Sequence, residues 1–209
     1  MSLDHLLQRA DIWRGGEHSL RDRHHCTTST GCARLDAQLP GGGLPLGALT
    51  ELLLDHRGIG ELGLLLPALG RLSRDDRWLA WVEPPYLPYA PALAAAGIRL
   101  DRLLLIHPGE VEQQLWAMEQ ALRSGNCGAV LGWAAHPDNR ILRRLQLAAE
   151  TGDAAGVLFR PLAAAKQASP AALRLHLAPV AGGLQVQVLK RRGGWGMQPV
   201  FVERAHVVA

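Results

Sequence analysis

Residues 52–66, LLLDHRGIGELGLLL, place a strand-like apolar run, a turn with two glycines and a leucine-rich helix in direct succession, and this constrains the fold most strongly. A strand that turns through glycines straight into a helix has the geometry of a phosphate-binding loop in an α/β sheet. The chemistry of such a loop is missing. In the pattern G-x-x-x-x-G-K-[ST] the lysine reaches the β/γ-phosphates and the hydroxyl holds Mg²⁺. The matching eight residues run from Asp55 to Leu62, with Gly58 and Gly60 in the turn, Glu61 at the lysine position and Leu62 at the hydroxyl position. A carboxylate about 4 Å from a phosphate oxygen is repelled by about 4 kcal/mol per unit charge at an effective dielectric of about 20. The expectation is the shape of a nucleotide site with no cofactor, no metal and no catalytic residue.

The segments after this turn alternate between the two periodicities. Residues 61–73, 89–97, 110–124 and 138–152 read as helices, and residues 77–83, 102–107, 128–133 and 154–159 as short apolar strands. That alternation predicts an α/β fold with a mainly parallel sheet covered by helices on both faces. From Leu173 the pattern changes: LRLHLAP and LQVQVLK alternate with period two around a turn at residues 181–183, which predicts antiparallel C-terminal strands, and residues 199–203 add a last strand. Upstream, residues 3–13 form an amphipathic helix by pattern, residues 15–30 a polar linker, and residues 39–47, LPGGGLPLG, an irregular turn. The organisation expected is an N-terminal docking helix with its linker (residues 1–28) and a core over residues 29–209.

Composition excludes several classes. No apolar stretch approaches the ~20 residues of a membrane span, and Asp4, Arg9, Asp11 and Arg14 interrupt the first residues, so they do not read as a signal peptide. Three cysteines give no disulfide framework, so a cytoplasmic location is expected. His24, His25, Cys26 and Cys32 have no standard zinc spacing. Charge is uneven: residues 1–139 carry 12 Lys and Arg against 16 Asp and Glu, whereas residues 140–209 carry 10 against 3. A basic final third fits an acidic partner or nucleic acid as well as it fits a solvated face.

Several segments resemble the RecA recombinase core: STGCARLDAQLPGGGLPLGAL (29–49), residues 80–103 ending in G-I-x-L-D, residues 143–160, and the terminal ALRLHL and VLKRR, so that the likeness spans residues 29–203. The resemblance implies a RecA-like three-layer fold, and it shows where the ATPase parts are gone. Glu61 replaces the P-loop lysine, Pro85 the water-activating glutamate, Gly132 and Trp133 the Walker-B aspartate, and Arg160 the glutamine that couples nucleotide to DNA. Within that fold GIGELGLLLPAL, RWLAWVEPPYLPYAPALAAAGI and RRLQLAAE resemble the ImuA translesion-synthesis family and its shorter relative, the SulA cell-division inhibitors. The N-terminal Trp13-Arg14-Gly15 and the basic Lys190-Arg191-Arg192-Gly193-Gly194 are ImuA-like.

The ImuA resemblance implies a non-enzymatic adaptor of the SOS mutasome that binds RecA and ImuB and, through ImuB, an error-prone replicative-type polymerase. On this reading Lys190, Arg191, Arg192, Arg140, Arg144 and Arg160 contact a partner or DNA, and Leu3, Leu6, Leu7 and Trp13 dock onto a partner. Trp78, Trp81, Tyr86 and Tyr89 gather around the Pro84-Pro85 turn, where exposed aromatics would mark an interface. The SulA resemblance implies instead an inhibitor that binds the tubulin-like division protein FtsZ and blocks its polymerisation. A degenerate ATPase is the third reading.

Overall fold

Strand β3 (Ala48–Leu54) is buried along its whole length, which only a strand with neighbours on both edges and helices on both faces can be. The computed structural model describes residues 26–192 and 198–203. The predicted helix 3–13 lies outside those residues. A two-stranded antiparallel ribbon, β1 (Thr27–Thr28) on β2 (Leu44–Pro45), precedes β3 and encloses the short helix α1 (Ala33–Asp36). Then follow α2 (Glu61–Arg74), β4 (Trp78–Val82), α3 (Ala90–Ala95), β5 (Leu103–Ile106), α4 (Val111–Arg123), β6 (Cys127–Trp133), α5 (Asn139–Gly152), β7 (Ala155–Pro161), β8 (Leu173–Val180), β9 (Gly183–Lys190) and β10 (Val200–Glu203).

The main sheet has the order β10-β9-β8-β3-β7-β6-β4-β5. The six strands from β8 to β5 are parallel, and β9 and β10 continue the sheet antiparallel, so the α/β class with antiparallel C-terminal strands is as predicted. Strand alternation sorts the core into two halves. Leu52, Leu79, Trp81, Leu131, Val157 and Leu175 pack with α2 on one face. Leu49, Ala80, Val82, Val130 and Leu158 pack with α4 and α5 on the other. The two helices of that second layer meet closely: a Cβ on Gly152 would lie 1.9 Å from the carbonyl oxygen of Leu122, so only glycine ends α5 there.

The polar stretch before β3 is more ordered than its composition predicts. Residues 27–28, read as linker, pair with residues 44–45 of the predicted irregular turn. Asp36 holds this region: its carboxylate accepts from the Thr30 N–H at 2.9 Å, the Thr30 hydroxyl at 2.7 Å and the Ser29 hydroxyl at 2.5 Å. Hydroxyls that read as solvated loop are satisfied by one side chain, which fixes the chain entering the sheet.

Candidate functional site

All the parallel strands end on one side of the sheet, the side on which α/β folds build sites. There β3 ends at Leu54, residues 55–60 turn, and α2 begins at Glu61. Gly58 and Gly60 have φ of 80° and 98°, a left-handed conformation costly for a residue with a Cβ, so both glycines are required by the corner itself. Glu61 is buried (5% exposed), and its Oε1 accepts the Gly58 N–H at 3.0 Å. In a phosphate-binding loop such N–H groups face the anion. Here the chain's own carboxylate takes that role, and a phosphate arriving at the helix start would meet a resident negative charge. A cleft of about 90 Å³ remains between residues 54–57 and 159–161, with Asp55 among its lining. Small-molecule sites are usually about 300 Å³ or more.

The neighbouring strand ends carry aromatic and acidic side chains held by their own surroundings. Trp133, at the Walker-B position, is buried, stacks on Phe159 at 4.6 Å and meets Trp81 edge-on at 6.3 Å. That aromatic slab fills the space where a carboxylate would order Mg²⁺. At the end of β4, Glu83 has φ of 52°, and its carboxylate receives the Gly109 N–H at 3.3 Å and lies 3.5 Å from His107 Nδ1. Pro84 and Pro85 follow, and then the chain turns outward: Tyr86, Leu87 and Tyr89 are 66%, 85% and 68% exposed. Tyr86 sits over the glycine corner, since a Cβ on Gly58 would be 3.9 Å from its ring. Corner and turn therefore form one surface, a helix start and an apolar, aromatic shelf beside it.

The tryptophans of the aromatic cluster do not join that shelf. Trp81 is fully buried, and Trp78 is half-buried with the Arg102 guanidinium 5.3 Å above its ring. The basic candidates scatter as well. Arg160 is buried and donates to Glu51 Oε1 at 2.7 Å and to Gln167 Oε1 at 3.1 Å. Lys190 donates to the Ser169 carbonyl at 2.6 Å, Arg191 to the Gln38 carbonyl at 2.7 Å, and Arg192 to Glu150 at 3.2 Å. Arg144 pairs with Glu119, which is buried and also holds Arg123 at 2.9 Å. Arg140 is exposed at the start of α5. The docking candidates Leu3, Leu6, Leu7 and Trp13 lie outside the described residues.

Two side chains that sequence reasoning passes over organise this edge. Glu51, fully buried in β3, binds both Arg160 and, at 2.5 Å, Arg174 of β8. Arg174 also donates to the carbonyls of Ala164 and Gln167, which pins the connection between β7 and β8 over the cluster. Burial, helped by the nearby Arg174, lowers the Lys190 ammonium from its ordinary 10.5. The available signal was a lone acid inside the run LTELLL. Among the described residues no group of three or more His, Cys, Asp or Glu could hold a metal ion, and no helix is long and apolar enough to cross a membrane.

Comparison with known proteins gives this surface its context. Residues 47–156 match the family model described as "Cell division inhibitor SulA". The cell division inhibitor SulA of Yersinia pseudotuberculosis serotype O:1b is 34% identical over 157 residues, covering 73% of this chain and 89% of the relative. SulA of Yersinia pestis strain Pestoides F is 33% identical over the same length, with the same coverage. A crystal structure of SulA from Pseudomonas aeruginosa is similar at 30% identity, covering 54% of this chain and 97% of that one with a TM-score of 0.45.

The family model and the curated relatives overturn the mutasome expectation, and with it RecA, ImuB, the ImuB-linked polymerase and DNA as partners. The two features that favoured ImuA, Trp13-Arg14-Gly15 and the basic residues from Lys190, fall outside the matched residues 47–156. The basic residues 190–192 are moreover engaged by carbonyls and a carboxylate of their own chain. By its family model and its curated relatives, this chain belongs to the SulA family of cell division inhibitors.

Proposed function

We propose that this chain inhibits cell division by binding the tubulin-like division protein FtsZ and blocking its polymerisation, without catalysis of its own. The observation that carries the reading is the likeness to cell division inhibitors over 73% of the chain and 89% of the relative. The corner geometry supports a binding role over an enzymatic one. Glu61 occupies the anion position of its own loop, and Trp133 and Pro85 offer neither a metal ligand nor a base. The surface used is the shelf of Tyr86, Leu87 and Tyr89 beside that corner. Interfaces concentrate their energy in exposed aromatic anchors of this kind, and two such side chains, Tyr86 and Tyr89, flank the exposed Leu87 within four residues.

The test is GTP-dependent assembly of purified FtsZ, followed by sedimentation with increasing amounts of this chain. The expected result is a stoichiometric loss of polymer that leaves labelled ATP unbound by the inhibitor. Full assembly at a several-fold excess of this chain would overturn the reading. Tight ATP binding, lost in the Glu61→Arg variant, would restore the degenerate ATPase.

A further inference from the structure

A groove of about 400 Å³ runs along the flank of α2, where residues 30–32 and the end of β10 approach the helix. Leu64, Pro67, Phe201 and Val202 give it apolar walls, and Gly63 leaves open space between them. Phe201 is 47% exposed there, a large ring with one side open. Glu203 lines the groove too, and Arg71, one turn after the lining residue Pro67 on α2, donates to the Ser29 and Pro67 carbonyls at 2.7 and 3.2 Å. The groove thus offers an apolar trough with an anion and a cation near its rim.

We propose that the occupant is the N-terminal segment of the same chain, residues 3–13, seated as an amphipathic helix with its leucine stripe in the trough. Leu3, Leu6, Leu7, Ala10 and Trp13 follow i, i+3, i+4, i+7 and i+10, which places them on one helical face. Arg9 borders that stripe on one side and Asp4 and Asp11 on the other, charges that answer Glu203 and Arg71. An isolated helix of about 11 residues is marginal in water, so a segment of this pattern needs a surface to bury its stripe. Reach is ample. Cys26, the first described residue, is four positions from groove-lining Thr30. Residues 14–25 extend to about 40 Å at most. Over so short a tether the intramolecular contact has an effective concentration in the millimolar range, which favours the chain's own groove over a neighbour's.

Cys32 lines the groove and reports on it. The full chain carries Cys26→Ser, and Cys127, buried at 4% exposure, serves as the internal control for folding. Cysteines are placed by Leu6→Cys or Leu7→Cys on the stripe and by Gln8→Cys on the polar face, and a short bismaleimide is added. The expected result is a link to Cys32 within one chain from position 6 or 7, about tenfold weaker from position 8. In the chain without these cysteines, the Leu6→Asp, Leu7→Asp double variant should alkylate Cys32 about tenfold faster, with Cys127 still protected. Equal alkylation rates overturn the proposal. So do links between two chains, links of equal yield from position 8, and protection of Cys32 without any link from the stripe. If the double variant also exposes Cys127, the cross-linking pattern alone decides. None of these readouts depends on FtsZ.

Discussion

Residues 84–89 and residues 190–192 invert each other. The second carries the charge that composition marks as a contact surface, yet each of its three cations is tied to a group of its own chain. The first holds no charged side chain, yet Tyr86, Leu87 and Tyr89 stand open to solvent. Charge counts measure what a segment contains, whereas recognition depends on what it leaves accessible. Lys190, Arg191 and Arg192 turn toward the connection between β7 and β8, the segment after α1 and helix α5, and the apolar turn faces outward.

The inward half of that contrast carries the largest expected effect. Among the described residues, Glu51 is the one carboxylate paired with the buried guanidinium groups of Arg160 and Arg174. Glu51→Gln keeps the shape and leaves two buried cations without an anion, and breaking a buried pair in this way costs about 3–5 kcal/mol. Urea denaturation should show this as a lower midpoint with an unchanged slope. A loss below about 1 kcal/mol would mean that the cluster is solvated and that the contrast with the open turn is overstated.

The outward half is tested by leaving stability alone. Tyr86→Ala and Leu87→Ala each remove an exposed side chain with little core contact, so the midpoint should move by no more than about 0.5 kcal/mol. Binding to FtsZ should weaken by about 2 kcal/mol for an anchor residue, roughly 30-fold in Kd. If both variants bind as the parent does, the shelf is not the contact surface. The converse experiment sharpens the comparison. Arg192→Ala removes a half-exposed ion pair with Glu150, worth at most about 1 kcal/mol of stability, and should leave FtsZ binding unchanged.

How much of this was legible follows the range of the forces involved. The predicted helix 61–73 is observed as Glu61–Arg74 and the predicted 138–152 as Asn139–Gly152, because apolar periodicity and glycine boundaries act within a few residues. The hairpin around residue 182 came through for the same reason. The ion cluster did not, since Glu51 meets partners 109 and 123 positions away. Nor did the fate of Arg191, whose carbonyl partner Gln38 lies 153 positions off. That a glutamate stands at the P-loop lysine position and a tryptophan at the Walker-B position was readable from the sequence alone. What Glu61 does instead, accepting the Gly58 N–H, required the coordinates of the turn. The assignment to ImuA rested on the chain's two ends, and the family-model match, residues 47–156, lies between them.

Lys190 gives the smallest effect and the most direct measure of how far charge has been drawn inward. Its ammonium is held below the ordinary 10.5 by burial first and by Arg174 second, while Glu51 pulls the other way. A base with a depressed folded pKa carries its penalty in full at neutral pH, where both folded and unfolded chains are protonated. As pH climbs through the folded value toward 10.5, the unfolded chain holds the proton longer, so stability rises with pH across that window. Lys190→Met keeps the stem and removes the charge. Its midpoint in urea should match or exceed the parent's at neutral pH, and the difference should shrink or reverse by about pH 10 as the parent is relieved of its charge. A difference that stays constant across that range would place Lys190 in solvent like any surface lysine, and would reopen residues 190–192 as a surface able to meet a partner.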